Sequence, residues 1–347
     1  MNKRIAINGI GRIGRQVFFK LLQEADFDIV LINDINTDIH NIVYTMNFDS
    51  IYKNSSTFSV KNNSIMHYKG ETLVTHNELL SKDLIKTLKI DYIIESTGVN
   101  KSALHIKEFF KDGLVSKSFY TYSPGIEDIT LVLGANEETY EPQKHNNISC
   151  SICDATAISP VLKIIDNNFD IKNGYVTTLH PFLNYQNVLD GPASSWSQPG
   201  EIYHHFALGR SSFNNLIPKP TTAIDITKKS VISLREKSLK CFSYRTPLEI
   251  VCSADITLNL KNIASIKKVV NLFKDFQDHQ KYKIINSSYE PLVSRDYIAS
   301  DFSANIDLRW LDVVDDYMIK LVLWYDNEFG YATRVVDQVK FVTGKLK

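Results

Sequence analysis

No run of about 18 apolar residues occurs anywhere in the chain, so no membrane-spanning helix is expected. Cysteine is sparse too. Four in 347 residues cannot frame a disulfide-stapled fold and are read as thiols in a reducing cytoplasm. Neither sign of charge dominates, with 39 Lys and Arg against 39 Asp and Glu. That balance removes the global field that would recruit nucleic acid or an anionic membrane surface. The first residues, MNKRIAING, lack an apolar h-region and a small-residue cleavage site, which agrees with a cytoplasmic protein. Internal repeats and low-complexity linkers are also missing. What is present is an ordinary globular composition, 44% hydrophobic and 22% charged, long enough for one large domain or two.

The first half alternates short apolar segments with amphipathic ones. Strand-like stretches are RIAING (4–9), DIVLIND (28–34), DYIIEST (91–97), SFYTYS (118–123) and TLVLGAN (130–136). RIGRQVFFKLLQEA (12–25) and SALHIKEFFKDG (102–113) carry helical spacing between them. Such alternation predicts a parallel sheet with helices on both faces. The second half has longer strand-like segments rich in β-branched and aromatic residues, at 174–182, 243–260 and 318–326. An amphipathic helix at 263–279 lies between them, and another closes the chain at 332–346. That order predicts an α+β domain with a mostly antiparallel sheet.

INGIGRIGR (7–15) places Gly9, Gly11 and Gly14 in G-x-G-x-x-G, directly after a strand and opening a helix. Glycines there allow a tight turn and let backbone amides approach a pyrophosphate at the helix N-terminus. The amides of Asn8, Arg12 and Ile13 belong to the same turn. Asp34 ends the next strand, 20 residues after Gly14, where a carboxylate takes ribose hydroxyls and repels a 2′-phosphate. The alternative is a glycine turn in a non-binding α/β fold. ESTG (95–98), with Thr97 and Gly98, and YSP (122–124), with Ser123, end two further strands at the edge where doubly wound sheets bind ligands. The expected cofactor is NAD.

SCSICDATAISP (149–160) holds Cys150 and Cys153 in a C-x-x-C spacing. A metal site would need a second pair, and Cys241 and Cys252 stand alone in strand-like segments; a thioredoxin-like pair would need a different context. A third reading starts a helix at this point, because Asp154 and Thr156 suit a first turn. A helix N-terminus favours the thiolate form of a cysteine. His180, in TTLHPF, is available as its base or ion-pair partner. No metal site is expected. Taken singly, the cysteine could be a small buried hydrophobe and the histidine a satisfied core residue.

AINGIGRIGR, LINDIN, LGANEETY, VTTLH and above all WYDNEFGYATRVVD (324–337) resemble motifs of the glyceraldehyde-3-phosphate dehydrogenase family, over nearly the whole chain. The resemblance implies a Rossmann domain at 1–152, completed by the C-terminal helix 326–347, and a catalytic domain at 153–325. It implies a homotetramer acting on a small-molecule aldehyde. A cysteine attacks the aldehyde, hydride passes to NAD, and inorganic phosphate cleaves the resulting thioester. The family pattern around the nucleophile reads roughly N-A-S-C-T-T-N-C-L-A-P. Gapless register from GAN (134–136), Pro160 and His180 selects Cys153, with His180 as its base and Asn327 and Tyr331 orienting the nicotinamide.

Departures from the family pattern cluster where it binds phosphate. Ile152 and Asp154 replace the hydroxyl residues flanking the nucleophile, and Leu183 and Tyr185 replace a threonine and an aspartate. Thr156 and Ala157 stand where the family has asparagine and cysteine, and Thr222 where it has glycine. Arg245 and Thr221 survive as substrate-binding candidates alongside Asp154, and Lys219 is a new cation nearby. Residues 194–209 look like an insertion, in which His204 and His205 read as a solvated pair. Two further readings remain open on the sequence. One is a related dehydrogenase for erythrose 4-phosphate or a non-phosphorylated sugar aldehyde, and the other a non-catalytic NAD-binding paralogue. Cys150, as a partner for oxidised Cys153, is an additional expectation.

Overall fold

A computed structural model describes residues 2–53, 56–193 and 206–344, so His204, His205 and most of the 194–209 segment lie outside the described residues. The chain groups into two units. The first comprises residues up to Thr130, Tyr140–Ser151 and the chain from Val335 onward; the second comprises Leu131–Thr139 and Ile152–Arg334.

The first unit contains strands β1 (Lys3–Asn8), β2 (Phe27–Asn33), β3 (Ser59–Lys61), β4 (Ser64–His67), β5 (Gly70–Thr75), β6 (Tyr92–Glu95), β7 (Lys117–Tyr120), β8 (Ile129–Thr130) and β9 (Asn147–Ser149). Helices α1 (Arg12–Gln23), α2 (Ile39–Asn47), α3 (Lys82–Thr87) and α4 (Asn100–Lys111) lie between them in sequence. The sheet order is β3-β4-β5-β2-β1-β6-β7-β9-β8. From β5 to β8 every pairing is parallel, while β3 and β4 extend one edge as an antiparallel hairpin. Ile5, Ala6, Ile7, Ile93 and Ile94 are fully buried, which explains why these strands read as continuous apolar runs. Val17, Phe18, Leu21 and Leu22 form the buried stripe of α1 at helical spacing. The order reverses between β1 and β6, and in doubly wound sheets a ligand sits in the crevice beside that point.

The second unit begins with α5 (Cys153–Phe169), followed by β10 (Ile171–Pro181), β11 (Ile217–Lys219), α6 (Ala223–Ser230), β12 (Ser238–Thr246), β13 (Cys252–Leu260) and α7 (Ile266–His279). Strands β14 (Ile285–Ser288), β15 (Ala304–Asp307), β16 (Asp312–Val314) and β17 (Met318–Tyr325) complete its sheet; α8 (Phe329–Val342) follows, and from Val335 it belongs to the first unit. The order is β11-β12-β10-β13-β17-β15-β14, with β16 pairing on β17. Pairing is antiparallel except between β10 and β12 and between β14 and β15.

Three local expectations change. TLVLGAN is a strand only through Thr130; beyond it Asn136 Oδ1 accepts the Val132 amide at 2.8 Å and Gly134 turns at φ 85°. Its residues from Leu131 group with the second unit, where Lys163 Nζ donates to the Ala135 carbonyl at 2.5 Å. The 243–260 run is two strands, the first ending at Thr246 ahead of Pro247 and the second starting after Val251 at φ 73°. The hairpin of β3 and β4 and the short strand β9, which lies between β7 and the edge strand β8, were not legible as strands.

Candidate active site

In the first unit, Gly9 has φ 90°, and a Cβ there would lie 2.9 Å from backbone atoms of Ser96 and Thr97. Gly14 faces the Gly9 carbonyl so closely that a Cβ would come within 2.1 Å of its oxygen. Gly11 is the N-cap of α1 and supplies no side-chain cap, and nothing lies within 4 Å of where its Cβ would be. Two glycines are therefore required by crowding, and the third opens the helix N-terminus to solvent. Gly14→Ala sets backbone against a new methyl, and we expect NAD binding to fall below detection in calorimetric titration, with the melting temperature lowered.

Asp34 Oδ2 accepts the Ile10 amide and Oδ1 the Asn36 amide, each at 2.8 Å. The carboxylate is thereby fixed beside the glycine turn. Arg12 directs its guanidinium to Asp49, with Nη1 2.6 Å from Oδ2. Burial raises the Asp49 carboxyl, but amide donors from Tyr52 and Ile51 and the Arg12 and Arg15 charges outweigh it and hold it low. Ile13 is half-buried in the first turn of α1.

Asn8 uses its side chain internally. Its Nδ2 donates to Glu95 Oε2 at 2.6 Å and Ser102 Oγ at 2.8 Å, and its Oδ1 accepts from Asn33. Glu95 is fully buried, its pKa raised by desolvation against four hydrogen bonds. It also takes the Thr97 amide at 2.8 Å and the Thr97 hydroxyl. A buried acid thus ties the end of β1 to the loop carrying Thr97 and Gly98, the latter at φ 72°. Nothing in the ESTG motif predicted this role for the glutamate. Ser123 Oγ lies 2.9 Å from Glu127 Oε1.

In the second unit, strand register assembles a second site. His180 pairs with Arg245, and Arg245 with Ile217, so Lys219, two residues on, shares their face. Thr178 pairs with Ala254 and Cys252 with Tyr325, and alternation carries both rows onto that same face. Helix α5 packs there and delivers Cys153 as its first residue, with Ile152 as an N-cap that offers no side-chain bond.

Cys153 Sγ lies 3.8 Å from His180 Nε2 and 3.6 Å from Asp154 Oδ1. The sulfur, a carboxylate oxygen and a ring nitrogen of these three residues all fall within 4.8 Å of one another. His180 Nδ1 sits 2.8 Å from the Pro181 carbonyl, which assigns the proton to Nδ1 and leaves the Nε2 lone pair facing the sulfur. Burial, reinforced by the Arg245 charge, lowers its pKa to about 4, so the imidazole is neutral at pH 7. Arg245 is 5% exposed; Nη1 reaches the Pro181 carbonyl at 3.3 Å and Nη2 the Tyr185 hydroxyl at 3.4 Å. Burial and the same Arg245 charge bring Lys219 down to about 8.

Thr221 Oγ1 accepts the Ala223 amide at 3.3 Å and so opens α6. Asn327 Oδ1 accepts the amide of strained Val251 at 3.1 Å, which leaves its Nδ2 as the part it can present. Tyr331 is buried, 4% exposed, in the first turn of α8. Two neighbours were not foreseen. The Tyr325 hydroxyl donates to Asp154 Oδ1 at 2.8 Å, and Cys252, its thiol pushed up first by burial, hydrogen-bonds with Cys153. Cys150 is fully buried in the first unit, its thiol raised by burial alone.

Residues 3–103 match the family profile of the glyceraldehyde 3-phosphate dehydrogenase NAD binding domain, and 152–327 that of the C-terminal domain. The glyceraldehyde-3-phosphate dehydrogenase of Geobacillus stearothermophilus is 30% identical over 351 aligned positions, covering 99% of each chain. That of Thermotoga maritima is 32% identical, covering 98% of each. The chain belongs to the glyceraldehyde-3-phosphate dehydrogenase family.

As a family member it is an NAD-dependent oxidoreductase with glyceraldehyde-3-phosphate dehydrogenase function, and NAD is its cofactor. The crowded Gly9 and Gly14, the open Gly11 and the fixed Asp34 carboxylate fit a dinucleotide. No helix among the described residues is long and apolar enough to cross a membrane.

Proposed function

We propose that Cys153 is the nucleophile and His180 the base in the oxidation of glyceraldehyde 3-phosphate. The observation that carries this is the His180 Nε2 lone pair aimed at Cys153 Sγ, with Nδ1 fixed on the Pro181 carbonyl. The thiol adds to the aldehyde carbon and its proton reaches the new hydroxyl by way of His180. NAD, when bound, supplies the hydride acceptor. As hydride leaves the thiohemiacetal carbon, His180 takes the hydroxyl proton and a thioester remains on Cys153. A neutral imidazole is the form that can accept that proton.

Gly9, Gly11, Arg12, Ile13 and Gly14 would hold the pyrophosphate, chiefly through backbone amides, and Asp34 the adenosine ribose hydroxyls. Asn8 would act by shaping the turn, since its side chain is already bonded. Thr97, Gly98 and Ser123 would line the remainder of the nucleotide site, with Asn327 and Tyr331 orienting the nicotinamide. Residues 1–152 with 326–347 would form the NAD-binding domain and 153–325 the catalytic one. Thr221, Asp154 and Arg245 would contact substrate, with Arg245 and Lys219 holding its phosphate. We further assign the protein to glycolysis in the cytoplasm, as a homotetramer, on the family resemblance and the unpaired cysteines.

The experiment is a comparison of Arg245→Met on two aldehydes. KM for glyceraldehyde 3-phosphate is expected to rise by about 10²-fold, as for loss of a charge-assisted pair, while KM for unphosphorylated glyceraldehyde stays within about threefold. Equal losses on both would mean that Arg245 serves the reacting carbonyl or the fold and not the phosphate.

A further inference from the structure

We propose that the acyl group carried by Cys153 is discharged by water, with Asp154 as general base, and not by inorganic phosphate. The inference rests on the dehydrogenase reading above and concerns only its last step.

Charge placement is the first argument. The Asp154 carboxylate is 5% exposed, 3.6 Å from the nucleophilic sulfur, and held by the Tyr325 hydroxyl at 2.8 Å. One residue away from the sulfur on either side, the chain offers Ile152, which has no donor, and Asp154, which repels a dianion. Leu183, three residues past His180, adds none. The cations facing this site are Arg245 on β12 and Lys219 at the end of β11, on the same face by register. One phosphate group, that of the aldehyde itself, would occupy both. A second phosphate, brought in to attack the thioester, would meet a carboxylate where it needs donors.

The second argument is where water is at home. Thr178 and Ser243 are register partners on β10 and β12, on the face that carries His180 and Arg245, and are 0% and 1% exposed. Neither hydroxyl has a hydrogen-bond partner among the described residues, and the same holds for Arg245 Nε and for Thr156 Oγ1 in the first turn of α5. Buried groups of this kind are ordinarily satisfied by ordered water. The polar atoms behind the nucleophile thus suit water molecules, while the Asp154 carboxylate beside it disfavours a second anion.

The step balances without a redox partner. Water oxygen bonds to the thioester carbon while Asp154 takes one of its protons. The tetrahedral oxyanion collapses, the C–S bond breaks, and its electron pair goes to Sγ. Asp154 returns the proton to the thiolate, and the product leaves as a carboxylic acid. Nothing is oxidised or reduced. Cys153, Asp154, His180, Arg245, Lys219, Cys241, Cys252 and Tyr325 meet at this point from α5, β10, β11, β12, β13 and β17, with Tyr185 bonded to Arg245.

The test follows NADH with the full chain, NAD and glyceraldehyde 3-phosphate in phosphate-free buffer and again with added inorganic phosphate, identifying products by phosphorus NMR. Steady NADH formation without phosphate, yielding the free acid and no acyl phosphate, is expected. Asp154→Asn is expected to slow steady turnover about 10²- to 10³-fold more than it lowers the first-turnover burst of NADH, the usual contribution of a general base. A positioning role alone would lower burst and steady state together, and that result overturns the proposal. Should Asp154→Asn not fold, Asp154→Thr serves, and turnover stimulated by phosphate is expected from it. Wild-type turnover that requires phosphate and yields acyl phosphate also overturns the proposal. A wild-type enzyme that shows no burst at all overturns the dehydrogenase reading and this inference with it.

Discussion

Cys153→Ser is expected to lower NADH formation from glyceraldehyde 3-phosphate by at least about 10⁴-fold, with NAD affinity unchanged. A serine hydroxyl in the same place is far less nucleophilic than a cysteine sulfur. Of the other thiols, Cys241 donates to the Thr221 carbonyl at 3.4 Å and is pushed up first by burial. Cys252 hydrogen-bonds with Cys153, but burial drives its thiol well above the ordinary value. Cys150 is fully buried in the first unit. The glycine turn and Asp34 belong to that first unit as well, so their geometry does not depend on the sulfur. Stopped-flow NADH absorbance, with NAD titrated calorimetrically in parallel, separates the two effects. Residual turnover above about 1% of wild type would place the nucleophile elsewhere.

The second large effect belongs to His180. His180→Gln is expected to cut kcat by about 10²- to 10⁴-fold, because among the described residues His180 is the imidazole that faces the sulfur. The wild-type pH profile carries the finer test. Burial and Arg245 hold His180 near 4, against an ordinary 6.5. Activity should therefore persist as pH falls through 6.5 and drop only near 4. An acid limb centred near 6.5 would contradict the buried, neutral imidazole. The sign for stability follows from linkage. The unfolded chain binds this proton more readily than the folded one, so the contribution of His180 is complete above 6.5 and is lost as pH falls toward 4. Thermal unfolding of wild type and His180→Gln across that window should show the wild type losing more stability on acidification.

Much of the nucleotide half was legible because each signal is local. G-x-G-x-x-G follows a strand, opens a helix, and is succeeded by Asp34 at the end of the next strand. Its parallel strands are buried on both faces and so appear as plain apolar runs. The hairpin of β3 and β4 was not legible, since its few residues, SVKNNSIMH, are short and half-exposed. TLVLGAN misled for the opposite reason: it is apolar and buried, yet buried as turns stabilised by Asn136. At the candidate catalytic centre, Cys153 and His180 were singled out by register, and their side chains lie 3.8 Å apart. Tyr325 on Asp154 was not, because it is 171 residues distant and only the sheet register brings it there. Cys252 was dismissed as isolated on the same grounds. Long-range pairing across β10, β13 and β17 carries no sequence period that marks it.

The adjacency of Asp154 to the nucleophile bears on energy conservation in whatever pathway the enzyme serves. Oxidation of an aldehyde to a thioester would store part of the reaction's free energy in an activated acyl group on Cys153. The identity of residue 154 then sets the fate of that stored energy. With hydroxyl side chains there, phosphate can capture it and the reaction runs in either direction. With a buried carboxylate steering water, the energy dissipates as the acid is released. The step then becomes a one-way valve, committing carbon toward the carboxylate.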